Sequence, residues 1–162
     1  MSSHPGIVEV LPMDEHNRVL VDHVHPNDWQ NPKPKELYDL VVIGAGPAGL
    51  IVAAGAAGMG ASVALVERHL MGGDCLNVGC VPSKCLIASG KAVGHIREAD
   101  SFGVHVPEGV KVEFSEVMER MRSIRAGISH HDSAKRYTEL GVDIFIGAGS
   151  FSGSDTVEVG DS

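Results

Sequence analysis

Two stretches of this chain carry residue types at spacings that do chemistry. The first is Gly44-Ala-Gly46-Pro47-Ala48-Gly49, a GxGxxG pattern. The second is Gly72-Gly73-Asp74-Cys75-Leu-Asn-Val-Gly79-Cys80-Val-Pro-Ser-Lys84, two cysteines with four residues between them in a glycine-containing segment.

In the GxGxxG pattern the first glycine permits a tight turn after a strand. The second leaves room for a pyrophosphate, and the third lets helix and strand pack closely. A helix opening there offers unbonded N–H groups and a partial positive charge to phosphates. Glu67 stands 23 residues past Gly44, where a ribose-binding carboxylate belongs. Read without a ligand, the same residues are a glycine-rich turn and a solvated strand end; the strand and helix around them favour the dinucleotide reading.

The cysteine stretch has the composition of a redox site. Cys75 and Cys80 are close enough in sequence to close a small disulfide ring. Cys80 stands where a helix is expected to begin, so the helix dipole favours its thiolate. Lys84 follows by four residues, hence on the same helical face, and adds positive charge. Such a thiolate can donate to an electron-poor cofactor and leave Cys75 free for exchange. Three other readings weigh less. A structural disulfide is rare in a chain that looks intracellular. With Cys85 the spacing is C-x4-C-x4-C, unlike the usual zinc sets, and Cys85 reads as a small buried apolar residue. Lys84 as a merely solvated lysine is the remaining alternative.

These motifs need an α/β frame, and the surrounding pattern supplies one. Leu37–Ile43 reads as a buried parallel strand, Ala48–Met59 as a helix capped by Gly60, and Ala61–Val66 as a second buried strand. Together they form a βαβ unit with a right-handed crossover. Arg68–Gly79 is expected as a loop, and Cys80–Ala99 as a helix with Pro82 in its first turn. A second helix follows, with Phe114, Val117, Met118, Met121, Ile124 and Ile128 at steps of three and four. Val142–Ile146 is a third buried strand, and Thr156 starts another. Residues 1–36, with five prolines and four histidines, read as an irregular extension with a short strand at Arg18–Val21 and an extended linker at Asn31–Glu36. His130-His131 and the His23/His25 pair read as solvated surface, with the adjacent pair facing different sides of a helix. His69 follows Glu67 closely enough to lie near a cofactor.

Composition narrows the classes. Glycine accounts for 20 of 162 residues, well above the usual roughly 7%, and nine of the twenty fall between Gly44 and Gly79. The net charge of −8 and an aromatic content of 4% argue against nucleic acid or an anionic membrane surface as partner. Three cysteines do not make a secreted disulfide scaffold. The first fifteen residues lack the pattern of a signal peptide, so a cytoplasmic location is expected. Leu40–Val66 is uncharged and long enough to span a bilayer, but its glycines and its split into two β-branched runs fit the βαβ unit better.

The run GGDCLNVGCVPSKCLI resembles the redox-active disulfide signature of the class I pyridine nucleotide-disulfide oxidoreductases, the group of dihydrolipoamide dehydrogenase, glutathione reductase and mercuric reductase. The order GxGxxG, then Glu67, then the cysteine pair is similar too, and the likeness extends over residues 37–162. It implies a Rossmann-like FAD-binding domain, of which 37–162 is the N-terminal portion. Residues Gly44, Gly46, Pro47, Ala48 and Gly49 are then expected at the FAD pyrophosphate and Glu67 at the adenosine ribose. Gly73, Asp74 and Cys75 would pass the flavin and phosphate side, Lys84 would lie near the flavin ring, and the Ile146–Gly149 stretch, with Gly149, would approach the adenine. Asp74 stands where better-known members have threonine. Cys80 is implied as the flavin-proximal thiol and Cys75 as the interchange thiol.

Electrons are then expected to pass from NAD(P)H through FAD to a Cys75–Cys80 disulfide and on to a small-molecule acceptor, a mercuric ion being favoured over a disulfide substrate such as lipoamide. The relatives' second dinucleotide motif and dimerisation domain have no counterpart in these 162 residues. The expectation is therefore an N-terminal piece of a homodimeric flavoenzyme, with little NAD(P)H-dependent activity of its own. A non-catalytic FAD-binding module is the reading from another class.

Overall fold

A computed structural model of the chain describes residues 8–160; the first seven residues of the expected extension lie outside it. The parallel α/β frame is present. Strand β1 (Leu40–Ile43), helix α2 (Pro47–Gly58) and strand β2 (Val63–Glu67) form the βαβ unit. Strand β3 (Val142–Ile146) pairs with the other side of β2, and both pairings are parallel, in the order β1-β2-β3. Helix α1 (Glu15–Val24) precedes them. A short helix α3 (Gly73–Asn77), the long helices α4 (Cys80–Glu98) and α5 (Phe114–Ser129), and a short α6 (Ala134–Glu139) lie between β2 and β3. The described residues end in an antiparallel hairpin of β4 (Ala148–Phe151) and β5 (Val157–Gly160).

Strand β2 is covered on both faces, with Val63, Ala64, Leu65 and Val66 all buried. One face meets Leu50 and Ala53 of α2, Leu20 and Val24 of α1, and Val142 and Ile144 of β3. The other carries Ala64 and Val66 against Phe145, Tyr38 and Val159. The expected burial of β1 is not found. Val41 and Ile43 are exposed and the strand's burial alternates, because β1 is an edge strand with only one face packed.

Residues 8–36 depart furthest from expectation. The strand expected at Arg18–Val21 is part of α1. The Asp14 side chain caps that helix by accepting the Asn17 N–H at 2.9 Å. Asn17, Leu20, Val21 and Val24 are buried at helical spacing. Histidine 25, expected on the surface, is fully buried, and its Nδ1 pairs with the carbonyl of His69. Beyond it Asn31 behaves like one residue of an added strand: its side chain donates to Ile146 O at 2.9 Å and accepts the Ile146 N–H at 2.7 Å. Trp29 Nε1 donates to Ile144 O at 3.4 Å. The outer edge of β3 is thereby covered rather than left open.

Candidate redox and dinucleotide site

The glycine loop is built as its spacing demands. Gly44 has φ +101° and turns the chain out of β1. A Cβ on Gly46 would meet nothing within 4 Å, so the backbone there faces open space. A Cβ on Gly49 would collide with the carbonyl oxygen of Gly44, so helix and strand pack at a distance only glycine permits. Helix α2 starts with Gly46 as N-cap and Pro47 in its first turn, with no side chain capping it. The amides of Ala48 and Gly49 lie in that first turn, where helix geometry leaves N–H groups unbonded. A cavity of about 430 Å³ runs along Val42, Ile43, Gly44, Gly46–Gly49 and Val52. An open glycine cradle at a dipolar helix end fits the pyrophosphate of a dinucleotide such as FAD.

Glu67 ends β2 and reaches back to the loop. Its Oε2 accepts the Ala45 N–H at 2.7 Å and its Oε1 the His69 N–H at 2.8 Å. A carboxylate has about four acceptor positions, so these bonds orient Glu67 and leave lone pairs for a ribose. The hairpin approaches the same sheet end: a Cβ on Gly149 would meet Val66 Cγ1 at 3.1 Å and Ile43 Cγ2 at 3.5 Å.

The segment expected as a loop contains α3, and that helix carries Cys75. It begins where Gly72 adopts φ +86°. The two glycine segments touch directly, since a Cβ on Gly73 would lie 2.8 Å from Gly46 Cα. Asp74 is exposed, and its carbonyl accepts the N–H of Val78 at 3.0 Å and of Gly79 at 2.5 Å. This tight return brings the end of α3 to the start of α4, whose first residue is Cys80. Both cysteines are free thiols, Cys75 half-buried and Cys80 exposed, while Cys85 is buried as expected. Lys84 is exposed one turn along α4 from Cys80.

The thiols interact. A hydrogen bond to Cys80 and burial push the Cys75 thiol above its ordinary range; the negative charge of Asp132 adds to this, and the Cys80 N–H opposes it.

Sequence reasoning missed the groups that hold α3. Asn77 is buried and donates from Nδ2 to Met71 O at 3.1 Å and Gly73 O at 2.8 Å. Arg125 of α5 is buried beside it and donates to Asn77 O at 2.6 Å and to Asn17 Oδ1 of α1 at 2.5 Å. Burial pulls its pKa below the usual arginine value. Asp132 sits against Gly72, and burial raises its carboxyl pKa. The available signal was Arg125 on the apolar side of α5, one position after Ile124 and four after Met121. The histidines assemble nothing comparable: His130 and His131 are exposed with ring centroids 3.8 Å apart, instead of facing different sides. Among the described residues no group of three or more His, Cys, Asp or Glu is placed to hold a metal ion. No helix among them is long and apolar enough to cross a membrane.

The family model described as pyridine nucleotide-disulphide oxidoreductase matches residues 38–161. The chain belongs to the pyridine nucleotide-disulphide oxidoreductase family. Similar proteins include a dihydrolipoyl dehydrogenase of Chlamydia trachomatis, 41% identical over 128 residues, covering 76% of this chain and 26% of the relative. A dihydrolipoyl dehydrogenase of Bacillus subtilis is 36% identical over 120 residues, covering 72% of this chain and 24% of the relative. One of Acholeplasma laidlawii is 33% identical over 122 residues, with 75% and 36% covered. The chain thus spans about a quarter to a third of the length of these relatives. These relatives are named dihydrolipoyl dehydrogenase rather than mercuric reductase, so they stand nearer the sequence reading's alternative than its preferred one.

Proposed function

We propose that this chain carries the FAD-holding, dithiol-bearing part of an NAD(P)H-linked disulfide oxidoreductase of the dihydrolipoyl dehydrogenase kind. The observation that supports it most directly is the junction of the two glycine segments. Gly73 rests on Gly46, so the turn bearing Cys75 and Cys80 abuts the dinucleotide cradle. In this reading Gly44, Gly46, Pro47, Ala48 and Gly49 hold the pyrophosphate and Glu67 the ribose, with Gly73, Asp74, Lys84 and Gly149 lining the rest. Residues 37–162 form the FAD-binding part, the whole protein works as a homodimer in the cytoplasm, and no nucleic acid or membrane is needed. When bound, FAD supplies two-electron exchange with the nicotinamide co-substrate.

The chain's own residues handle the thiol side. The pair gives up two electrons and two protons as the Cys75–Cys80 bond forms, and a cyclic disulfide substrate gains both as its S–S bond opens. Exchange runs through a mixed disulfide whose rate follows the thiolate fraction of the attacking sulfur. The test is direct. The reduced chain, mixed anaerobically with oxidised lipoamide, is expected to form the Cys75–Cys80 disulfide and release one dihydrolipoamide per chain, seen by mass spectrometry and thiol titration. Release of no dihydrolipoamide from a folded chain would overturn the reading, and Cys75→Ser is expected to abolish release.

A further inference from the structure

The segment ahead of the family match reaches the redox turn. Residues 8–37 lie outside the stretch matched by the family model, which begins at residue 38. Asn17, in that segment, nevertheless ends a chain of side-chain contacts leading to α3. Its Oδ1 accepts from Arg125, and its Nδ2 donates to Pro12 O at 2.7 Å and Val10 O at 3.1 Å. A second tie sits beside it: Arg122 Nε donates to Asp14 Oδ2 at 2.5 Å, joining the cap of α1 to α5. Arg125 then grips the C-terminal carbonyl of α3, and the Asn77 side chain grips the carbonyls at its start.

We propose that Asn17, acting through Arg125 and Asn77, is a positioning residue for the Cys75–Cys80 pair. A disulfide forms only within narrow limits of sulfur separation and dihedral angle. The five residues of α3 carry one sulfur and the first residue of α4 the other. Their spacing therefore depends on where α3 is held, and three of the bonds that hold it converge on Asn77. Among the described residues Arg125 Nε and Asn77 Oδ1 are buried without a partner, so the guanidinium is held by two bonds, one to Asn77 O and one to Asn17 Oδ1. Loss of the Asn17 bond leaves Arg125 less constrained, and the change reaches the thiols through α3.

The inference rests on the reading of Cys75 and Cys80 as a redox pair, and one experiment separates the two. The full chain and its variants are equilibrated anaerobically in buffers of reduced and oxidised glutathione, and the Cys75–Cys80 disulfide is quantified after trapping. The glutathione disulfide takes up the two electrons and two protons that the thiols release. Asn17→Ala and Arg125→Lys are expected to shift the equilibrium constant in the same sense, each by about fivefold, the scale of one net hydrogen bond. Leu20→Ala, on the apolar face of α1, lowers stability without touching Arg125 and is expected to stay within about twofold of wild type on the same scale. A wild-type disulfide whose constant is unchanged in folded Asn17→Ala overturns the positioning role alone, as does an equal shift in Leu20→Ala. If Asn17→Ala does not fold, Arg125→Lys carries the same comparison. A wild-type chain that forms no Cys75–Cys80 disulfide at any glutathione ratio overturns the redox pair and the inference with it.

Discussion

The two cysteines are not equivalent, and the difference lies in their immediate neighbours. Cys75 is half-buried, hydrogen-bonded to Cys80 and exposed to the field of Asp132, and all three raise its pKa. A raised thiol pKa means less thiolate at a given pH, so alkylation of Cys75 at pH 8 is expected to be slower than that of an ordinary free thiol. Cys80→Ala removes the largest of these influences and is expected to move the alkylation midpoint of Cys75 down. Asp132→Asn is expected to move it the same way by less. Peptide-resolved rates of iodoacetamide labelling against pH measure both, and a midpoint that rises in either variant contradicts the assignment. Much at this scale was legible in the sequence. The GxGxxG spacing announced the tight turn, the helix start and the close helix–strand contact that the structure has, and Glu67 hydrogen-bonds to that same loop. Asn77, Arg125 and Asp132 were missed: Asn77 bonds within its own short turn, where no periodicity marks it, and Arg125 and Asp132 meet partners far away in sequence.

At the level of elements, glycine performs two opposite tasks, and α2 contains both. Gly49 faces β1, where a Cβ would meet the Gly44 carbonyl, whereas Gly55 is exposed with nothing within 4 Å. Gly49→Ala is therefore expected to destabilise the chain by about 3 kcal/mol through overpacking and to open the cradle. Gly55→Ala is expected to stabilise it by roughly 0.5–1 kcal/mol, since alanine loses less backbone entropy in a helix. Urea unfolding of the two variants beside wild type checks both signs at once. The sequence located α2, β2, α4 and β3 to within a few residues because their apolar runs are long or bounded by glycine. It missed α3, which is five residues long and stabilised by Asn77 and Arg125 rather than by periodicity. It also missed α1, where the surrounding prolines and histidines masked the Asp14 cap and the Leu20, Val21, Val24 stripe.

Considered whole, the molecule depends on the segment that looked most expendable. Leu20 and Val24 are fully buried and share a core with β2, α2 and β3, while Asn31 and Trp29 occupy the outer edge of β3. Such an arrangement unfolds with the sheet rather than before it, since removing it exposes both the apolar face of α5 and an unpaired strand. Leu20→Ala is expected to cost about 3 kcal/mol, as for other large-to-small changes in a closed core. Asn31→Ala leaves the amide and carbonyl of Ile146 without partners and is expected to cost about 2 kcal/mol. Hydrogen exchange distinguishes a cooperative segment from an appended one. If residues 8–36 belong to the fold, the amides of α1 and β3 exchange with the same opening free energy, and Leu20→Ala lowers both by the same amount. If Leu20→Ala speeds exchange in α1 alone and leaves β3 at its wild-type protection, the segment is a detachable addition. Its link to the cysteine turn through Asn17 would then have no rigid base from which to act.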